Sequence, residues 1–224
     1  MDQSSTLNDE EKSARTRYYS PYLEISKRSV DIICSVAFFI FFGWLYLLVC
    51  VGVLVTSGKP ILYSQPRYKK DGKLFRLYKF RSMVADADGV LAAHLASNAD
   101  ARSQWNKYQK LIEDPRITKF GAFIRRTSLD ELPQFWNVLI GDMSFIGPRP
   151  CMLDQKNLYG VDWKYYCAVR PGITGLWQVS GRNNLTYEHR VQLDVEYVKK
   201  LSVRTDIGIA FRTIYVVATG HGSR

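Results

Sequence analysis

The stretch from Ile32 to Ser57, IICSVAFFIFFGWLYLLVCVGVLVTS, holds no charged side chain, in a chain where 23% of residues are charged. An α-helix rises about 1.5 Å per residue, so a run this long matches the roughly 30 Å hydrocarbon core of a bilayer. Core helices of water-soluble proteins rarely extend beyond about 20 residues. A cleaved signal peptide would need a shorter apolar region, an earlier start and a small-residue cleavage site. A membrane-inserted helix is therefore expected over residues 25–58, between a polar tail at 1–24 and one domain at 59–224.

Lys27 and Arg28 precede the apolar run, and Lys59, Arg67, Lys69, Lys70 and Lys73 follow it. Lysine and arginine mark cytoplasmic flanks, so both ends carry the same topological signal. A straight crossing would put one basic end outside, whereas a helix that enters, breaks and returns keeps both inside. Re-entry is the expected topology, with the break at Gly43-Trp44, although glycine interrupts a helix less than proline does.

The net charge of +10 is spread along the chain without a long basic block. Such a distribution suits anionic lipid headgroups and phosphorylated substrates at least as well as nucleic acid. A nucleic-acid binder would leave the apolar run without a role, so no nucleic acid is expected. The length remaining after the helix suits a single core and does not fit a two-lobed nucleotide-sugar enzyme. Cys34, Cys50, Cys151 and Cys167 lack metal-ligand or C-x-x-C spacing and read as inert, reduced thiols.

The pattern predicts a mostly α protein with a small β-hairpin (α+β): a re-entrant membrane helix and one compact, cytosolic, membrane-associated domain. Asp71-Gly72 lies between the runs 60–64 and 74–80 and signals the hairpin, with Pro66 restricting the first strand to an edge. From Ala85 to Ile112 the Ala, Leu, Gln and Lys content predicts helix. Asp86-Ala87-Asp88 has the D-x-D spacing of metal-dependent glycosyltransferases, but it opens this helix instead of ending a buried strand. Acids in a first helical turn are accounted for by the helix dipole.

No P-loop, G-x-G-x-x-G or Ser-His-Asp arrangement is recognisable, and the only histidines are His94, His189 and His221. Chemistry built on carboxylates and arginines is the economical expectation. In Ser128-Leu-Asp-Glu-Leu-Pro133, Ser128 and Glu131 have capping-box spacing, while Pro133 favours a slightly later helix start. Either register sets Asp130 and Glu131 at a positive helix pole, which favours the ionised form needed by a nucleophile or a magnesium ligand. Adjacent carboxylates can divide that labour. From spacing alone, the cap and the catalytic pair stand level. Arg125 and Arg126 precede the carboxylates, and Arg149 follows in Gly147-Pro-Arg-Pro150, either a rigid phosphate-gripping arginine or a surface turn. Asp142 in Gly141-Asp-Met-Ser is read as a turn residue in preference to a metal ligand.

These residues resemble the bacterial sugar transferases, the monotopic polyprenyl-phosphate phosphoglycosyl transferases that begin exopolysaccharide, capsule and O-antigen repeat units. The resemblance runs through Lys27-Arg-Ser-Val-Asp31, Tyr78-Lys-Phe-Arg-Ser-Met83, Ser128-Leu-Asp-Glu-Leu-Pro-Gln134 and Gly141-Asp-Met-Ser-Phe-Ile-Gly-Pro-Arg-Pro150. It continues in RPGITGLWQVSGRN (170–183) and Leu193-Asp-Val-Glu-Tyr197. What it implies is transfer of a hexose 1-phosphate, galactose slightly ahead of glucose, from a UDP-hexose to undecaprenyl phosphate with release of UMP. Asp130 would be the nucleophile, forming a covalent sugar-phosphoryl enzyme, and Glu131 its partner in binding Mg2+. Arg81, Arg125, Arg149 and Arg170 would contact substrate. Lys27 and Arg28, with Gly43 and Trp44, would anchor the chain among membrane phospholipids. The implied location is the cytoplasmic membrane of a bacterium, with catalysis on the cytoplasmic face and assembly into a homo-oligomer left open. Where the family commonly has Ser-Pro at the bend, this chain has Gly43-Trp44. A non-catalytic membrane adaptor of polysaccharide assembly is the alternative function.

Toward the C-terminus, Ile207, Ala210, Phe211, Ile214, Val217 and Ala218 recur at helical spacing, as either a core face or an interfacial one. Phe135 and Trp136 have the same two readings.

Overall fold

The computed structural model describes residues 21–108, 111–181 and 185–219. Most of the expected polar tail lies outside the described residues. Helix predominates, and the first helix, α1, runs from Pro21 to Ser57. Its 37 residues correspond to about 56 Å at the usual rise. The interruption expected at Gly43 is absent. Gly43 has open space around its Cβ position and no proline follows it, so nothing breaks the backbone ladder there.

Strands β1 (Leu62–Tyr68) and β2 (Leu74–Phe80) form a two-stranded sheet. Their connection holds Asp71 at φ 62 and Gly72 at φ 66, the left-handed pair that Asp-Gly supplies. In so small a sheet every strand is an edge, which accommodates Pro66. The single helix expected over 85–112 is instead α2 (Ala87–Ser97) and α3 (Ala99–Tyr108). Asn98 adopts an extended backbone between them, and its side chain accepts from the N–H of Ala101 at 3.0 Å. Asp86 caps α2, its Oδ1 accepting from Gly89 N at 3.0 Å, so the D-x-D spacing belongs to a helix start.

The chain divides into two compact units. One comprises the described residues within Met1–Ile40, Ser64–Leu77 and Gln134–Arg224. It contains α5 (Gln134–Ile140), β3 (Ser144–Ile146), α6 (Trp163–Ala168), β4 (Gly172–Thr174), α7 (Leu176–Ser180), α8 (Tyr187–Lys199) and α9 (Val203–Thr219), α4 belonging to the other unit. β3 and β4 pair in parallel, Ser144 opposite Gly172 and Ile146 opposite Thr174, a sheet the sequence reading did not anticipate. Two glycines permit it: a Cβ on Gly147 would lie 2.4 Å from Arg170 O, and one on Gly172 would lie 2.2 Å from Gly147 N.

An aromatic core fills this unit, with Trp163 stacked on Tyr166 at 4.9 Å and Tyr159 edge-on to both. Tyr159 donates to Asp194 Oδ2 at 2.7 Å, and complete burial pushes the Asp194 carboxyl up to about 8. Burial likewise raises the Cys151 thiol to about 11, in keeping with an inert thiol. Asp142 is a turn residue: Gly141 sits at φ 89, Asp142 N donates to Asn137 O at 3.0 Å, and its carboxylate pairs with Lys69. Phe135 stacks on Phe38 at 3.8 Å, whereas Trp136 is exposed. Among the described side chains of α9 the buried apolar residues are Ile209 and Val216, and Ile207, Phe211 and Ile214 are exposed.

The other unit comprises Phe41–Tyr63 and the described residues within Tyr78–Pro133. Its core gathers Val49 and Val53 of α1, Phe80 at the end of β2, and Ile124 of α4 (Lys119–Arg126). Thr118 caps α4, accepting from Gly121 N at 2.9 Å. Helix α1 is long and apolar enough to cross a membrane, and many of its large side chains, among them Ile40, Phe41, Leu47 and Val55, are exposed.

Candidate active site

The carboxylates singled out by sequence lie in the second unit, directly after α4. Arg126 ends that helix, and Leu129–Glu131 form one 3-10 turn before Pro133. Ser128, at φ 58, takes the left-handed conformation and makes no side-chain cap. The capping-box reading of Ser128 and Glu131 is therefore incorrect. For a residue with a Cβ this conformation is strained, of the order of 1–3 kcal/mol, and it lies between the end of α4 and Asp130. α5 begins only at Gln134, so Asp130 and Glu131 precede its first turn, in keeping with the later start that Pro133 favours.

Asp130 is 8% exposed. Burial raises its carboxyl above the usual range, and the Glu131 charge adds to this, while Lys79 and Arg125 act in the opposite direction. Lys79 Nζ lies 2.6 Å from Glu131 Oε1 and 3.7 Å from Asp130 Oδ2, so one ammonium faces both carboxylates. Sequence reasoning passed over Lys79, although it lies two residues before Arg81 in the Tyr78–Met83 stretch. Strand alternation gave no signal for it: Lys79 falls in register with the buried Phe75 and Leu77, while Phe80 is buried in the opposite register.

Among the expected arginines, Arg125 joins this group, its Nε donating to Ser82 Oγ at 2.7 Å. Arg81 is held by backbone: its Nη1 donates to Lys59 O at 3.0 Å and its N–H to Ile61 O at 2.8 Å. Arg149 and Arg170 belong to the first unit. There Arg149 is exposed in its proline-flanked turn, and Arg170 donates from Nε to Gly141 O at 3.1 Å.

Lys27 and Arg28 were expected at lipid headgroups, but their charged ends meet protein acceptors in the first unit. Lys27 Nζ contacts Asp206 Oδ2 at 2.6 Å, Ile146 O at 3.0 Å and Tyr197 Oη at 3.1 Å. Arg28 donates to the carbonyls of Val138 and Leu139 at 2.5 and 2.6 Å, satisfying the C-terminal end of α5. Trp44 donates from Nε1 to Phe41 O at 3.0 Å.

A desolvated carboxylate beside a second carboxylate, with a lysine facing both, can act as a nucleophile toward an anionic phosphorus centre if positive charge offsets the repulsion. No cluster of three or more His, Cys, Asp or Glu suited to a metal occurs among the described residues. Asp130 and Glu131, adjacent in one 3-10 turn, are the residues that would hold a magnesium ion, which commonly takes one or two protein carboxylates and completes its shell with water and substrate phosphates.

The family model described as bacterial sugar transferase matches residues 22–220. An undecaprenyl-phosphate galactose phosphotransferase of Salmonella typhimurium is 48% identical over 197 residues, covering 88% of this chain and 41% of that protein. An exopolysaccharide production protein, ExoY, of Sinorhizobium fredii is 42% identical over 199 residues, covering 89% of this chain and 88% of the relative. A UDP-glucose:undecaprenyl-phosphate glucose-1-phosphate transferase of Escherichia coli is 37% identical over 198 residues, covering 84% and 39% respectively. The chain thus spans about two-fifths of the Salmonella and Escherichia relatives and most of the Sinorhizobium one. With a family model covering nearly all of its length, this chain belongs to the bacterial sugar transferases.

Proposed function

We propose that this protein transfers a hexose 1-phosphate from a UDP-hexose to undecaprenyl phosphate, starting an exopolysaccharide, capsule or O-antigen repeat unit. The observation that carries the reading is the buried Asp130 beside Glu131, both facing Lys79. Asp130 attacks the sugar-bearing phosphorus of the nucleotide sugar, forming a carboxyl–phosphorus bond as the phosphoanhydride bond breaks and UMP departs. An oxygen of undecaprenyl phosphate then attacks the same phosphorus, the carboxyl–phosphorus bond breaks, and Asp130 returns as a carboxylate beside the lipid diphosphate sugar.

Lys79 supplies positive charge where two anions must meet, which lowers the barrier most in a site sheltered from water, and Arg125 offers a cation to the diphosphate as it binds. Asp130 and Glu131 would hold Mg2+, which when bound offsets the charge of the diphosphate. The uncharged length of α1 and its exposed side chains support insertion into the cytoplasmic membrane of a bacterium, with the catalytic residues on the cytoplasmic face, where nucleotide sugars are found. The names of the relatives favour galactose or glucose as the sugar, galactose standing with the higher identity.

The test is UMP release from UDP-galactose and UDP-glucose with undecaprenyl phosphate in detergent micelles. Asp130→Asn should lower release by about 10³-fold or more while circular dichroism is unchanged, and EDTA should stop turnover of the unaltered protein. Retained UMP release in the variant would remove Asp130 as nucleophile. Absence of release from either donor, with or without metal, would instead favour the non-catalytic adaptor.

A further inference from the structure

Arg125 owes its placement to a residue that no part of the reaction above uses. Ser82, buried just after β2, meets α4 at both ends of that short helix. At the N-terminal end, Ser82 O accepts from Thr118 N at 3.2 Å, and it lies so close to Gly121 that a Cβ there would be 1.9 Å away. At the C-terminal end, Ser82 Oγ accepts from Arg125 Nε at 2.7 Å. One residue thus fixes the distance of the helix through its backbone and the direction of an arginine through its side chain.

A guanidinium carries five N–H donors in a rigid plane. Anchoring Nε to Ser82 sets the plane and leaves the two terminal nitrogens, on an exposed residue, directed away from the anchor. Among the described residues those terminal nitrogens have no hydrogen-bond partner. Ser128 N donates to Arg125 O at 3.2 Å, so the turn that carries Asp130 follows directly on this arginine. A planar donor pair that is already oriented loses less entropy when it grips a phosphate than a freely rotating side chain does.

We propose that Ser82 is a positioning residue, holding Arg125 so that its terminal nitrogens receive the diphosphate of the nucleotide donor beside Asp130. This rests on the proposed function above, and its test separates the two. Ser82→Ala should raise KM for UDP-galactose about 3- to 10-fold and leave kcat within about twofold, since the anchor acts on a group that binds before reaction. Ser82→Thr, which keeps the hydroxyl, should restore KM. In an Arg125→Ala background, Ser82→Ala should have no further effect, because the group it orients is gone. Thermal melts of all variants identify any general loss of folding.

The affinity of UDP, measured calorimetrically in the same variants, makes the test independent of turnover. Weakening by Ser82→Ala in the presence of Arg125 and not in its absence supports the proposal. Equal UDP affinity for Ser82→Ala and the unaltered protein, or equal weakening in the Arg125→Ala background, overturns it. Protein that binds UDP but releases no UMP defeats the proposed reaction while the affinities still decide the role of Ser82; protein that does not bind UDP defeats both.

Discussion

Lys79 stands within 3.7 Å of both carboxylates and opposes the burial that raises the Asp130 carboxyl. Removing that ammonium in Lys79→Met should move Asp130 further upward, since desolvation and Glu131 then act with less opposition. The ionised form is the nucleophile, so the acidic limb of the kcat profile should shift to higher pH, with the largest activity loss on the acid side. Lys79→Arg, which retains the charge, should shift it less. An unmoved limb in Lys79→Met, read from initial rates of UMP release between pH 5 and 9, would show that Lys79 does not govern this carboxyl. The two carboxylates were legible in the sequence because they are adjacent; Lys79 was not, because 51 positions separate it from Asp130 and only folding gives it their company.

Among the elements, α1 shows most directly how local sequence and structure relate. Its apolar run predicted a helix, but the start at Pro21 and the uninterrupted passage through Gly43 were not read from it. A glycine in mid-helix is destabilising by about 0.5–1 kcal/mol relative to alanine but does not break the hydrogen-bond ladder, whereas a proline would. Nothing lies within 4 Å of the Gly43 Cβ position. Gly43→Ala should therefore preserve helicity, raise the melting temperature slightly and leave UMP release within about twofold. A large loss of activity with helicity intact would show that the chain needs a hinge at this glycine. The split between α2 and α3 was missed for a related reason: Asn98 is a modest helix former by propensity, and its capping bond to Ala101 makes it a boundary.

At the scale of the whole molecule, the folded state takes up a proton that the unfolded chain does not hold. Asp194, raised to about 8 by complete burial, is protonated when folded at pH 6 and ionised when unfolded, where its ordinary value is 3.8. Its contribution to stability is fully present below about pH 4 and is lost as pH rises through about 8. Asp194→Asn removes the titration while keeping an acceptor for Tyr159. The stability of the unaltered protein relative to this variant should fall as pH rises from 5 to 8.5, with a slope of at most about 1.4 kcal/mol per pH unit, measured by denaturant unfolding. A constant difference across that range would place Asp194 in its ionised form.

Features carried by runs of neighbouring residues were determined by sequence alone: the apolar helix, the Asp-Gly connection of the hairpin, the helix start at Asp86 and the adjacent Asp130 and Glu131. Each depends on backbone geometry or on solvent preference over a few positions, and those are local properties. Tertiary structure alone decided that Lys27 and Arg28 meet protein carbonyls and Asp206, that β3 and β4 pair in parallel, that Ser82 holds Arg125 and that Lys79 faces the carboxylates. These contacts join residues far apart in the chain, and their partners are chosen by burial and charge only once the chain has closed on itself.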